Sequence, residues 1–317
     1  MKKVLCIGSV TTDVIIKPVD ALPTPGELQF IDSSSMFVGG CASNASIDLA
    51  KLGVPVSLCV KLGKDLFGHF VYDTCKEAGV DVRGCVMDES VQTTTSIVCV
   101  NSDGERSFLY NGGSTSAMTD KDISDELIAD ADIVFLAGAL LTHGLDGEPA
   151  AKMFAKAQSM GKFTVMDTAW DPTGRWMKGV EAALPHLDLF MPSIEEAQKI
   201  AGKEDFDDIA DVFFAKGVKN VIIKAGKKGA YIREGGKEGY FAPTYLSIKP
   251  TDTTGAGDSF CAGFLAGLAQ DFDFEKSAKL GNAVGTHCVM ELGASTGIKP
   301  LAEIYKFMEE HTDEVAL

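Results

Sequence analysis

Between Ile133 and Lys224 short apolar runs alternate with amphipathic stretches. Apolar runs fall at Ile133 to Ala137, Phe163 to Asp167, Leu187 to Met191 and Asn220 to Lys224, with helical spacing over Glu148 to Met160 and Glu195 to Ala201. This alternation constrains the fold more than any other feature, because strands joined through a helix lie parallel with right-handed crossovers. Strands covered on both faces read as continuous apolar runs, and Val4 to Val10, V-L-C-I-G-S-V, is another. The expectation is an α/β fold: helices on both faces of a mostly parallel central sheet, as a single domain over residues 1–317.

Two segments break the pattern. From Ile15 to Val38, Pro18, Pro23 and Pro25 punctuate alternating residues, and Thr93 to Asn111 has two strand-like halves around Ser102-Asp103-Gly104, a hairpin turn signal. Together they predict a small β-sheet lid inserted at about 15–38 and 93–111, able to exclude water from a site. The edges of such a lid invite pairing with a second copy, so a homodimer through the lid is expected.

The net charge of −16 excludes a general nucleic-acid binder. An acidic chain that handles an anion must gather positive potential locally. No apolar run reaches about 18 residues, so no membrane partner is expected, and Met1-Lys2-Lys3 runs into a strand without a signal segment, which places the chain in the cytoplasm. Its eight cysteines lie singly in apolar segments without a C-x-x-C, as buried thiols do.

The chemistry centres on Thr251 to Gly267, T-D-T-T-G-A-G-D-S-F-C-A-G-F-L-A-G. Gly255, Ala256 and Gly257 let successive N–H groups converge at the head of a helix, forming an anion cradle. Asp258 has two readings there: a helix cap, or a base beside a phosphate that takes a proton from an attacking hydroxyl. A Walker loop, G-x-x-x-x-G-K-[ST], is absent from the sequence. Near the other end, Val38 to Gly53, V-G-G-C-A-S-N-A-S-I-D-L-A-K-L-G, opens a helix with Gly39, Gly40 and small residues. That composition lets a ligand approach the backbone, and Asn44 both donates to and accepts from hydroxyls. Asp13, just past the first strand, sits where open α/β sheets place ligands.

G-A-G-D and G-G-x-x-x-N-x-A-x-x-L-A-x-L-G, in this order, resemble the two signatures of the PfkB, or ribokinase-like, family of sugar and nucleoside kinases. The resemblance extends over nearly the whole chain. It implies a ribokinase-like three-layer α/β/α fold and a phosphotransferase that uses ATP and Mg²⁺ to phosphorylate a sugar. Asp258 is then the catalytic base, the amides of Gly255, Ala256 and Gly257 the anion hole, and Asp13, Gly39, Gly40 and Asn44 the sugar ligands.

Other segments carry smaller parts of the resemblance. M-P-S-I-E-E-A aligns Glu196 with an acid that helps place Mg²⁺ from the outer shell, with Ser193 standing where the family has Asn. Lys224, Gly226 and Gly229 of K-A-G-K-K-G border the nucleotide, as do Thr254, Asn282 and Gly293. Backbone carbonyls near Asp252 imply a monovalent cation, K⁺. Arg175, in D-T-A-W-D-P-T-G-R-W, reaches an acidic substrate group or a phosphate, or pairs with Asp171. Gly63, Asp65 and Gly68 match a family segment in which Asp65 caps the next helix, and His287 reads as a packed side chain. Rival readings are a nucleoside kinase, with Phe30, Phe37, Phe108 or Tyr110 stacking on a base, and a catalytically silent sugar-binding regulator. A Rossmann dehydrogenase is excluded because C-I-G-S-V-T-T-D lacks G-x-G-x-x-G.

Overall fold

The computed structural model describes residues 1–314. Its centre is an eight-stranded sheet in the order Tyr240–Ala242, Ala230–Glu234, Asn220–Lys224, Leu189–Phe190, Phe163–Thr168, Ile133–Ala139, Val4–Gly8, Val56–Cys59. From Asn220–Lys224 to Val56–Cys59 every neighbouring pair is parallel. Successive side chains of the first strand point to opposite faces: Val4 and Cys6 enter one core, Leu5 and Ile7 the other. The first core is closed by helices Cys41–Lys51, Ala256–Leu268 and Phe274–Val289, the second by Glu148–Ser159, Ile194–Ala201 and Phe206–Ala215. The result is the three-layer arrangement expected.

Two details differ from the sequence reading. The run Leu187 to Met191 is regular strand only over Leu189–Phe190, although Asp188 N still donates to Thr164 O and Met191 N to Met166 O. The sheet also continues past Asn220–Lys224 into an antiparallel hairpin, Ala230–Glu234 and Tyr240–Ala242, for which the sequence analysis named no strands. Both strands are short and have polar, glycine-rich flanks, and only Tyr240–Ala242 lies at the edge, so periodicity registers them poorly.

The lid is a four-stranded sheet in the order Ser33–Gly39, Thr11–Lys17, Thr95–Val100, Arg106–Asn111. It starts at Thr11, earlier than expected, so Asp13 is a lid-strand residue paired across to Phe37 and Ser96. Its outer strand Arg106–Asn111 is exposed along its whole length.

Helix Ala256–Leu268 is placed by close contact with Phe274–Val289. A Cβ at Gly263 would lie 2.8 Å from Val284 Cβ and 2.9 Å from Gly281 Cα, and one at Gly267 would lie 2.6 Å from Ser277 Oγ. The small residues that read as a permissive segment are therefore a tight seam, and the seam fixes where the head of the helix points. Gly263→Val should force the helices apart and cost about 1–3 kcal/mol, beyond what valine gains over glycine in helix propensity. A lowered urea midpoint is the expected result, and an unchanged midpoint would show that the seam has room to spare.

Candidate active site

The predicted residues gather at the carboxyl ends of the parallel strands, where the lid sheet leaves the core. Gly255 is the N-cap of helix Ala256–Leu268, with a left-handed φ of 78° and no side-chain capping bond. A Cβ there would lie 2.6 Å from Ala294 Cα, so only glycine turns the chain into the helix at this point. At the head of the helix the Ala256 N–H donates to Thr253 O at 3.3 Å, while the Gly257 and Asp258 N–H groups have no intrahelical acceptor, as at an anion-binding helix N-terminus.

Asp258 sits in the first turn, and its carboxylate does not cap the helix. Its Oδ2 instead accepts from Asn44 Nδ2 at 2.8 Å, a bond between residues 214 apart in sequence. Burial raises the Asp258 pKa, while Asn44, Lys224 and Cys41 pull it back. A carboxylate shifted upward in this way is a stronger proton acceptor than a solvated one. The second Asn44 atom, Oδ1, is buried without a hydrogen-bond partner, an open acceptor beside Asp258.

Asp13 borders the same space. Burial pushes its carboxyl up to about 6. Gly39 is required beside it, since a Cβ would collide with the Asp13 carboxylate. Gly40, at φ 93°, is the N-cap of helix Cys41–Lys51 and would place a Cβ 2.5 Å from Val10 Cα. The two glycines thus let strand, carboxylate and helix head meet without a gap. Burial raises the pKa of Tyr110, on the outer lid strand, and the charges of Cys41 and Asp13 add to the rise.

Behind the cradle lies a charged pair that the sequence did not foretell. Lys224 Nζ is 2.6 Å from Asp167 Oδ2, with the lysine side chain 12% and the aspartate 2% exposed. Burial opposes the ammonium charge, but Asp167 and Glu196 outweigh it and hold Lys224 protonated well above its usual range. A Cβ at Gly257 would lie 3.5 Å from Lys224 Nζ, so the ammonium underlies the cradle directly. Ser193 and Glu196 form a reciprocal capping box at the start of Ile194–Ala201. Glu196 Oε2 accepts from Thr168 Oγ1 at 2.8 Å and from Ser193 N at 3.1 Å. Burial raises the Glu196 pKa, and Lys224 opposes the rise. The serine in place of asparagine therefore serves as the cap that aims Glu196.

Other predicted residues hold the walls. Asn282 Nδ2 donates to the carbonyls of Ala242 and Pro243, at 3.0 and 2.9 Å, and fixes the segment after the edge hairpin. Gly229, at φ 82°, would collide with Ala242 O if it carried a Cβ, and Gly226 is exposed in the same turn. Gly293 N donates to Asp252 Oδ2 at 3.1 Å. Thr254 Oγ1 donates to Asp252 Oδ1 at 2.8 Å. Arg175 Nη2 donates to Leu140 O at 2.6 Å and to Asp146 Oδ2 at 2.9 Å, and its Nε to Thr173 Oγ1 at 2.9 Å. The principal carboxylate partner of the guanidinium is Asp146, with Asp171 at 3.9 Å. Asp65 caps helix Leu66–Glu77 through Gly68 N. His287 packs edge-on against Phe307, and burial lowers its pKa.

Sequence reasoning missed Cys41 and Asp167, and it missed Arg106 as a neighbour of Thr254 and Asp252. Cys41 and Asp167 carried a signal, in that both stand inside quoted motifs.

The chain resembles known proteins along almost its whole length. It is 26% identical over 316 residues to the ribokinase of Staphylococcus aureus, covering 95% of this chain and 98% of that one. Against the 2-dehydro-3-deoxygluconokinase of Bacillus subtilis the identity is 25% over 298 residues, with 89% and 90% covered. The Arabidopsis thaliana ribokinase complexed with ribose and ATP superposes with a TM-score of 0.85 at 22% identity, over 97% of this chain and 99% of that one. The model of the pfkB family of carbohydrate kinases matches residues 1–300. With the glycine cradle, the facing carboxylate and the lid in place, this chain belongs to the pfkB family of carbohydrate kinases.

Proposed function

We propose that the protein transfers the γ-phosphoryl group of MgATP to a sugar hydroxyl, with Asp258 as general base. The observation that carries this reading is the Asn44–Asp258 hydrogen bond, which joins the sugar-side helix to the head of the cradle helix. The acceptor oxygen loses its proton to Asp258 and bonds to the γ-phosphorus, while the bond from that phosphorus to the β-phosphate oxygen breaks and ADP leaves. The Gly255, Ala256 and Gly257 amides, with Lys224 beneath them, meet the charge on the transferred group. Asp13, Gly39, Gly40 and Asn44 hold the sugar, the open Asn44 Oδ1 accepting one of its hydroxyls.

The donor set fits a nucleotide whose phosphates rest on backbone amides. Magnesium, bound through those phosphates, would supply charge neutralisation, and Glu196 would accept from its waters. Lys224, Gly226, Gly229, Thr254, Asn282 and Gly293 line the nucleotide side. A monovalent cation would rest on backbone carbonyls near Asp252, where Thr254 O and Ala294 O both lie within reach of the Cys288 thiol. No step is routed through such an ion. The reading treats residues 1–317 as one α/β domain carrying its own lid. A cytoplasmic setting accords with ATP as donor and eight cysteines present as free thiols. Exposed apolar residues on the lid, Phe30, Phe108 and Leu109 among them, favour a homodimer through that sheet.

An ADP-release screen over neutral sugars, sugar acids and nucleosides tests the reading, with Asp258→Asn run in parallel. Turnover with a sugar, lowered about 10²- to 10⁴-fold in the variant with melting temperature and ATP affinity kept, is expected. Release with nucleosides alone would favour the nucleoside-kinase alternative. Binding of a sugar without any ADP release would favour the silent regulator.

Arg175 keeps Nη1 without an acceptor among the described residues, and the proposal gives that nitrogen a substrate carboxylate. Arg175→Ala should then raise KM for sugar acids and leave neutral sugars little changed. Equal losses for both classes, or a change confined to the KM for ATP, would assign the residue elsewhere.

A further inference from the structure

Helices Cys41–Lys51 and Ala256–Leu268 share a second polar link besides Asn44 and Asp258. One turn further along the first helix, Asp48 Oδ2 accepts from Ser259 Oγ at 2.6 Å. Asp48 is fully buried, and its other oxygen, Oδ1, has no hydrogen-bond partner among the described residues. Ser295 Oγ is likewise buried without a partner, and this hydroxyl is close enough to pull the Asp48 pKa down. Ser295 belongs to the loop 291–297, which backs the cradle: a Cβ at Gly255 would lie 2.6 Å from Ala294 Cα and Cβ. Ala294 O in turn lies 3.4 Å from Ser259 Oγ and 3.1 Å from the Cys288 thiol.

We propose that Asp48 is a positioning residue for nucleotide binding, which clamps the loop 291–297 against the head of the cradle helix through the Ser259 and Ser295 hydroxyls; this rests on the kinase reading above. Three observations support it. First, its neighbours adjoin the site directly. Ser259 follows Asp258, and Ser295 follows the residue that fills the space beside Gly255. Second, packing gives no reason for an acid here. Asp48 interrupts a buried run between Ile47 and Leu49, and a buried carboxylate with an open oxygen costs stability. Burial pushes its carboxyl up to about 7, Asp258 adding to the rise and Ser259, Ser295 and Lys51 opposing it. The Cys288 thiol, itself raised to about 12, also feels the Asp48 charge. Third, a carboxylate offers two acceptor oxygens, so one side chain can hold hydroxyls from two separate elements. Lys51 Nζ, on the same helix, adds a bond to Ser295 O at 2.7 Å.

The test measures nucleotide affinity apart from fold stability. Wild type, Asp48→Asn, Asp48→Ala and Ser295→Ala are titrated calorimetrically with Mg²⁺ and either ADP or β,γ-methylene-ATP, alongside their melting temperatures at pH 8. Asp48→Ala should weaken both nucleotides about five- to tenfold while melting no lower than wild type, since Ser259 keeps Ala294 O as an acceptor. Asp48→Asn, whose amide accepts from Ser259 and donates to Ser295, should bind within about twofold of wild type. Ser295→Ala should reproduce part of the loss, and it carries the test if Asp48→Ala does not fold. Unchanged affinity in Asp48→Ala or in Ser295→Ala would overturn the proposal and leave the kinase reading intact. So would a loss that comes with a lower melting temperature and is not restored in Asp48→Asn. Wild-type protein that binds neither nucleotide would overturn the kinase reading and this assignment with it.

Discussion

The Asn44–Asp258 hydrogen bond is the contact on which the site depends. It joins the helix that begins at Gly40 to the helix that begins at Gly255, two elements from opposite ends of the chain. Each helix head is set by a glycine in a conformation that other residues adopt only with strain, and each is pressed against backbone that leaves no room for a Cβ. The carboxylate is thus fixed by a helix from the other end of the chain, next to the helix-head amides. Orientation of this kind contributes to rate because the base need not be ordered as the reaction proceeds.

A second constraint is electrostatic. Several carboxylates share a small, poorly solvated volume, and burial raises the pKa of Asp258 and Glu196 alike. The ammonium of Lys224, kept charged by these neighbours, limits the rise. The balance leaves Asp258 a carboxylate more basic than a surface aspartate. It also explains how an acidic protein binds an anion: the positive potential comes from helix-head amides and one buried lysine, not from overall charge.

Much of this was legible from local sequence. G-A-G-D marked the cradle and G-G-C-A-S-N its partner, because glycine at a helix head and a polar side chain after it have few other uses. Alternating apolar runs predicted the sheet, and prolines with a hairpin turn predicted the lid. What stayed hidden depends on contacts distant in sequence. Whether Asp258 caps its helix or faces the cleft is undecidable until Asn44 is seen opposite it. The Asp167–Lys224 pair joins two strand ends, and Arg106 meets Thr254 only because the lid folds over the sheet. The hairpin of Ala230–Glu234 and Tyr240–Ala242 escaped because strands of five and three residues are too short to carry a clear periodic signal.

The central claim is that Asn44 acts on catalysis through the Asp258 carboxylate. A double-mutant cycle measures this coupling directly: kcat at saturating sugar for wild type, Asn44→Ala, Asp258→Asn and the double variant, on protein of verified fold. The account predicts a clear loss for Asn44→Ala alone and little further loss once Asp258 is already asparagine. Losses that simply multiply, with Asn44→Ala costing as much in either background, would contradict it.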